Sequence, residues 1–254
     1  MLTLPSHKEL KTAIEWIIHS PNLLVLDATW NFPNDFSDGI VSEVLDSELE
    51  QISEWLATSK VRLGRLFERL VLAAFEAHSE YEVLERSIDI FEGKRQLTEL
   101  DFIIRKPDGG ILHLEVSVKF YLYISVNGMY QISGSDGKDV IDERLMKFDR
   151  QLREGMKYTQ EHYPNDRVES RILSKGRLFE ERGGKHCEDP LIHPDSERGE
   201  WTFDTPDGDE HPFKGRWNWI SWPPEPSSET IVRLEGELHA WKEGPKHIIF
   251  RRNA

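Results

Sequence analysis

Apolar and polar residues alternate most regularly over residues 97–120. The first run is Leu97-Thr98-Glu99-Leu100-Asp101-Phe102-Ile103-Ile104. It puts Leu100, Phe102 and Ile104 on one face and Glu99 and Asp101 on the other, because strand side chains change sides at every residue. Pro107-Asp108-Gly109-Gly110 then marks a turn. The second run carries Leu112, Leu114, Val116, Val118 and Phe120 on one face and His113, Glu115, Ser117 and Lys119 on the other. The pattern predicts a β-hairpin on which acidic groups of two adjacent strands converge. The plain structural reading of that face is a half-solvated polar surface.

Helical spacing surrounds this hairpin. Residues 7–18 repeat apolar side chains at Leu10, Ile14, Ile17 and Ile18, and Ser20-Pro21 ends the pattern. Residues 42–56 do so at Leu45, Leu49, Ile52 and Leu56. Residues 63–77 carry the widest stripe, from Leu63 and Leu66 to Ala74 and Phe75. Glu68 sits beside that stripe on a row with Gly64. It either pairs with Arg65 or Arg69, or is a half-buried carboxylate aimed at the hairpin. Gly64 would let another backbone approach, at about 1 kcal/mol of helix propensity. Residues 81–91 supply a strand before the hairpin. The Lys119 strand runs on to Asn127-Gly128, a tight-turn signal. Residues 140–158 read as a helix with Lys147 and Gln151 on one face, either a solvated surface or a face that meets phosphate.

Beyond residue 164 the pattern weakens. Residues 168–179 are ambiguous, 183–215 largely loop, 216–222 a candidate strand, 231–241 helical or mixed, and 247–251 a short strand. The expectation is an α/β fold with a mixed central sheet of four or five strands flanked by helices. It divides into an N-terminal helical segment (1–60), an α/β core (61–160) and a mostly irregular C-terminal extension packed on it (161–254).

Composition narrows the chemistry. At 38% hydrophobic and 31% charged residues the chain reads as soluble and globular, and no apolar run approaches the ~18 residues of a membrane span. The first ten residues lack the order of a signal peptide, so the cytoplasm is expected. The single cysteine, Cys187, excludes an intramolecular disulfide framework and a cysteine-rich zinc site. His186, Cys187, His193 and His211 are irregularly spaced and are expected at the surface. Eight tryptophans could serve base or sugar stacking, but filling a second small core is the use expected of buried aromatics. A net charge of −14 opposes indiscriminate binding of nucleic acid, which rests on phosphate neutralisation, so any such contact needs a local basic groove. No glycine-rich phosphate loop and no Gly-x-Ser-x-Gly appears.

A helix with a Glu, a strand with a carboxylate, a turn, and a strand with an acidic residue and a nearby Lys resembles the PD-(D/E)XK nuclease superfamily. Gly64-Arg65-Leu66-Phe67-Glu68, Glu99-Leu100-Asp101-Phe102 and Glu115-Val116-Ser117-Val118-Lys119-Phe120-Tyr121-Leu122 are similar to a bacterial family of unknown function, DUF1853, that has been grouped with these nucleases. The strong part covers residues 64–122, with weaker echoes at 16–24, 175–179 and 215–219.

The resemblance implies a restriction-endonuclease-like core and a metal-dependent nuclease or related phosphodiesterase acting on DNA or RNA. The alternative is a catalytically silent module that binds nucleic acid or a partner protein. It implies Mg²⁺ or Mn²⁺, with Asp101 and Glu115 as ligands, Glu68 binding directly or through water, and Glu99 as a further candidate. The implied catalytic set is Asp101, Glu115, Lys119 and Glu68, with Lys147 and Gln151 toward nucleic acid. The chain departs from the superfamily at the lysine. Ser117 holds that position, and Lys119 lies two residues on, displaced by about 6.6 Å at strand rise. Lys147 is another possible donor. His113 shares the face of Glu115, as a base or as a hydrogen-bonded rim histidine.

Overall fold

Ser6 starts the first helix. Its hydroxyl accepts from the Glu9 N–H at 3.3 Å, and the Glu9 carboxylate accepts from the Ser6 N–H at 2.7 Å, a reciprocal cap that satisfies otherwise orphaned donors. The structure is a computed structural model that describes residues 4–59, 61–134, 139–202, 219–220, 238–243 and 247–252. Helices α1 (His7–His19), α2 (Ser42–Thr58) and α3 (Leu63–Glu76) follow the predicted stripes. Ile14, Ile17, Leu49, Ile52, Leu70 and Val71 bury themselves with Phe102, Ile104, Leu112, Leu114 and Val116 in one core. These three helices therefore cover the predicted apolar face of the hairpin.

The sheet begins as an antiparallel meander of β1 (Glu82–Glu92), β2 (Arg95–Arg105) and β3 (Ile111–Val126). Asn127 (φ 53°) and Gly128 (φ 80°) reverse the chain into β4 (Met129–Gly134), which pairs back on β3; two successive positive φ angles suit the twist of a two-residue hairpin. Helix α4 (Ile141–His162) then crosses the second face of the sheet. There Phe148 and Leu152 pack with Tyr121, Ile172 and Leu178. The crossover delivers β5 (Val168–Glu181) parallel to β3, and β6 (Glu197–Thr202) and β8 (His247–Arg252) continue the parallel set. β7 (Leu238–Glu243) closes the edge antiparallel to β8. Among the described residues the result is a mixed eight-stranded sheet, order β1-β2-β3-β5-β6-β8-β7 with β4 paired on β3, and helices on both faces.

The sheet is larger than the expected four or five strands because residues beyond 164 enter it. β5 is buried along most of its length, which erases the alternation that marks a half-buried strand. At Gly176 (φ 154°) it passes so close to Lys119 that a Cβ would overlap the Lys119 carbonyl. β6 lies where a loop was expected. Its charges are met by neighbouring residues, Arg198 by Glu180 at 2.6 Å and Glu200 by Arg182 at 3.0 Å. Residues 238–241, expected helical or mixed, are strand, whereas 216–218, 221–222 and 231–237 lie outside the described residues. Among the described residues no helix is long and apolar enough to cross a membrane.

One detail of the pairing creates the site. β2 pairs with β3 only from Phe102↔Leu114 to Arg105↔Ile111, and β4 takes the same edge from Tyr121 onward. Residues 115–120 of β3 thus have a strand partner on the β5 side alone.

Candidate functional site

Asp101 and Glu115 stand where β2 and β3 part, and their side chains replace the missing ladder bonds. The Val116 N–H donates to Asp101 Oδ2 at 2.8 Å, and the Asp101 N–H donates to Glu115 Oε1 at 3.3 Å. His113 Nε2 lies 2.8 Å from the same Glu115 oxygen, and His113 Nδ1 lies 3.1 Å from Ser170 Oγ. Gln151 of α4 donates to Glu115 Oε2 and, at 3.2 Å, to the Glu99 carbonyl. The expected half-solvated polar face is therefore covered by α4. His113, Glu115, Ser117 and Gln151 are all buried, so His113 is not a rim residue and Gln151 is not on a solvated surface.

Burial sets the electrostatics. It pushes the Glu115 carboxyl up to about 8. It raises Asp101 well above the usual carboxylate range too, with the neighbouring Glu115 charge as the next cause. The two carboxyl groups adjoin, and burial together with their mutual charge disfavours ionising both. Burial pushes His113 down to about 4, so its ring is neutral. A neutral ring donates from one nitrogen and accepts at the other, so Glu115 and Ser170 together engage both.

Glu68 satisfies both sequence readings. It is half-buried at the site's border, where burial raises its pKa, and it pairs with Arg65 at 2.8 Å. Arg65 also holds Glu99 at 3.0 Å, so one guanidinium bridges two of the candidate carboxylates. Gly64 is not a point of close approach: it is exposed in the first turn of α3, and a Cβ there would meet nothing within 4 Å. The Lys119 ammonium pairs with Asp139, and Arg144 reaches the same carboxylate at 3.6 Å. Lys147 is exposed, and its charge contributes to lowering Glu115 and Glu68. Elsewhere, Cys187 is buried rather than at the surface, His186 is exposed and pairs with Glu180 at 3.1 Å, and His211 lies outside the described residues.

Among the described residues, no group of three or more His, Cys, Asp or Glu side chains forms a set that would hold a metal ion. Asp101 and Glu115 touch, while Glu68 and Glu99 are engaged by Arg65. One further oxygen belongs to the site: Gln151 Oε1 is buried without a hydrogen-bond partner, a costly state for an amide oxygen. Two adjoining carboxyl groups and an unsatisfied amide oxygen are hard donors of the kind Mg²⁺ accepts, with water and substrate oxygens completing its shell.

A cavity of about 110 Å³ adjoins Asp101, bordered by Arg65, Glu68, Arg69, Arg86 and Ser87. Sequence reasoning passed over Arg86, Ser87, Ser170 and Gly155. The available signals were the polar composition of β1, which fits a charged edge strand, and a glycine inside a helix, which marks close packing.

No curated protein and no solved structure matches the chain. A family model described as a domain of unknown function, DUF1853, matches residues 12–223, and the chain belongs to that family.

Proposed function

We propose that the protein is a metal-dependent phosphodiester hydrolase acting on nucleic acid, a nuclease or close relative, with Mg²⁺ or Mn²⁺ as cofactor. The observation that carries this reading is the meeting of Asp101 and Glu115 at the parting of β2 and β3, on a core that runs α3-β1-β2-β3-α4-β5. That order agrees with the PD-(D/E)XK resemblance. Asp101 and Glu115 would hold the metal, and Glu68 borders the cavity beside Asp101. When bound, such an ion polarises a phosphoryl oxygen and lowers the pKa of water. The chain's own part is positional. His113 and Gln151 fix the Glu115 carboxylate, the Val116 N–H fixes that of Asp101, and α4 covers Glu115.

A second reading, a silent nucleic-acid-binding or partner-binding module, is favoured by Ser117 at the superfamily's lysine position and by the engagement of Lys119 with Asp139. Labelled single- and double-stranded DNA and RNA, incubated at low salt with Mg²⁺ or Mn²⁺, separate the two. The hydrolase cleaves at least one of them, and Asp101→Ala and Glu115→Ala abolish both cleavage and the thermal stabilisation given by the metal. Absence of cleavage with every substrate would leave the silent module.

A further inference from the structure

Arg69 of α3 and Arg86 of β1 border the same cavity as Asp101. The third guanidinium there, Arg65, is neutralised by Glu68 and Glu99. Arg69 and Arg86 form no ion pair among the described residues. A guanidinium left without a carboxylate at a concave site suits an oxyanion, and its planar fork matches phosphate geometry.

The backbone supports the same cavity. Arg86 pairs with Phe102 and Ile88 with Leu100, so Ser87 lies opposite Asp101. Ser87 has φ 50°, a left-handed conformation unusual for a non-glycine residue inside a strand. Consecutive strand residues normally point to opposite faces, yet Arg86 and Ser87 both border the cavity. Trp55 of α2 adds an apolar wall to the cavity.

We propose that Arg69 and Arg86 form a phosphate-binding subsite that holds a phosphodiester of the substrate strand against Asp101. This rests on the hydrolase reading for the substrate's identity. It supplies from α3 and β1 the cation that β3 lacks at Ser117, and places it where charge builds at phosphorus.

The test uses the full chain without metal, a fluorescent single-stranded oligonucleotide at low salt, and inorganic phosphate as competitor. Arg69→Gln and Arg86→Gln should each weaken oligonucleotide binding by about tenfold, and phosphate should compete with the wild type but not with Arg86→Gln. Arg153→Gln, an exposed α4 arginine paired with Asp149, should bind within about twofold of the wild type, as expected for a surface pair. Thermal melts confirm that the variants fold. Wild-type binding of neither probe, unchanged binding in both arginine variants, or an equal loss in Arg153→Gln would overturn the subsite. Arginine-dependent binding without metal-dependent cleavage would retain the subsite and end the hydrolase reading. Cleavage with arginine-independent binding would do the reverse.

Discussion

Gly155 of α4 lies so close to His113 of β3 that a methyl group at residue 155 would overlap the imidazole ring. The ring cannot give way easily, because Ser170 and Glu115 hold its two nitrogens. Gly→Ala inside a helix ordinarily gains about 1 kcal/mol. Here overpacking, typically about 1–3 kcal/mol, should win. Gly155→Ala is expected to destabilise the protein in urea unfolding by up to about 2 kcal/mol net. In a His113→Ala background the same substitution should be neutral or stabilising. Equal destabilisation in both backgrounds would mean that the ring is not the obstacle.

Glu115 should make stability fall as pH rises. Its folded pKa is raised from 4.5 to about 8. Between those values the folded state binds more protons than the unfolded one. The group's contribution is therefore fully present below about 4.5 and lost as pH rises through about 8. Asp101 acts in the same direction. Glu115→Gln removes this titration and keeps the shape. The stability difference, wild type minus variant, should decline across that window by an amount on the order of a few kcal/mol. A pH-independent difference would show that Glu115 is ionised in the native state throughout.

How much of this was legible depended on what each residue meets. Alternation through Leu100, Phe102, Leu112 and Leu114 identified the core face of the hairpin, and with it the shared face of Asp101 and Glu115, because three helices bury only one side of those strands there. It could not reveal that α4 covers the other side. That depends on Gly155 making room for His113 and on Gln151 turning inward, both long-range facts. β5 was ambiguous for a related reason: Lys175 and Arg177 are fully buried within it, so the usual equation of charge with solvent fails. Arg177 is held by Glu197 and the Trp219 carbonyl and lies over the Trp16 ring, partners 20 to 161 residues away in the chain. Lys119 shows the limit of face arguments. The strand puts it on the side of Glu115, but its ammonium goes to Asp139.

That pairing gives a prediction for the displaced lysine. Lys119→Ala should change cleavage by less than about threefold while lowering stability by roughly 1 kcal/mol, since a partly exposed ion pair contributes little and solvent screens it. Asp139→Asn should lower stability similarly. A large fall in kcat for Lys119→Ala with intact metal affinity would instead assign the phosphoryl-stabilising charge to Lys119, and the arginine variants would then be near wild type in turnover.

Lys175 offers a separate test, away from the carboxylates. It is fully buried on β5, and its Nζ donates to the backbone carbonyls of Ser20 and, at 3.4 Å, Asn34. It thereby ties the end of α1 and the following loop to the sheet. Burial lowers its pKa from 10.5 to about 7, against a smaller opposing effect of the Asp35 charge. Between about 7 and 10.5 the unfolded chain keeps the lysine proton and the folded chain does not, so stability rises with pH in that window. Below it the full cost of charging the buried amine is present. Lys175→Met removes the titration but leaves two carbonyls without a donor, at about 1–3 kcal/mol. The wild type should therefore gain on Lys175→Met as pH rises from neutrality toward 10, by an amount on the order of a few kcal/mol. Urea unfolding of both proteins at several pH values measures the difference directly and cancels every group they share. Curves that stay parallel would mean that the amine keeps its proton inside the fold, with the two carbonyls solvating it well enough to offset burial.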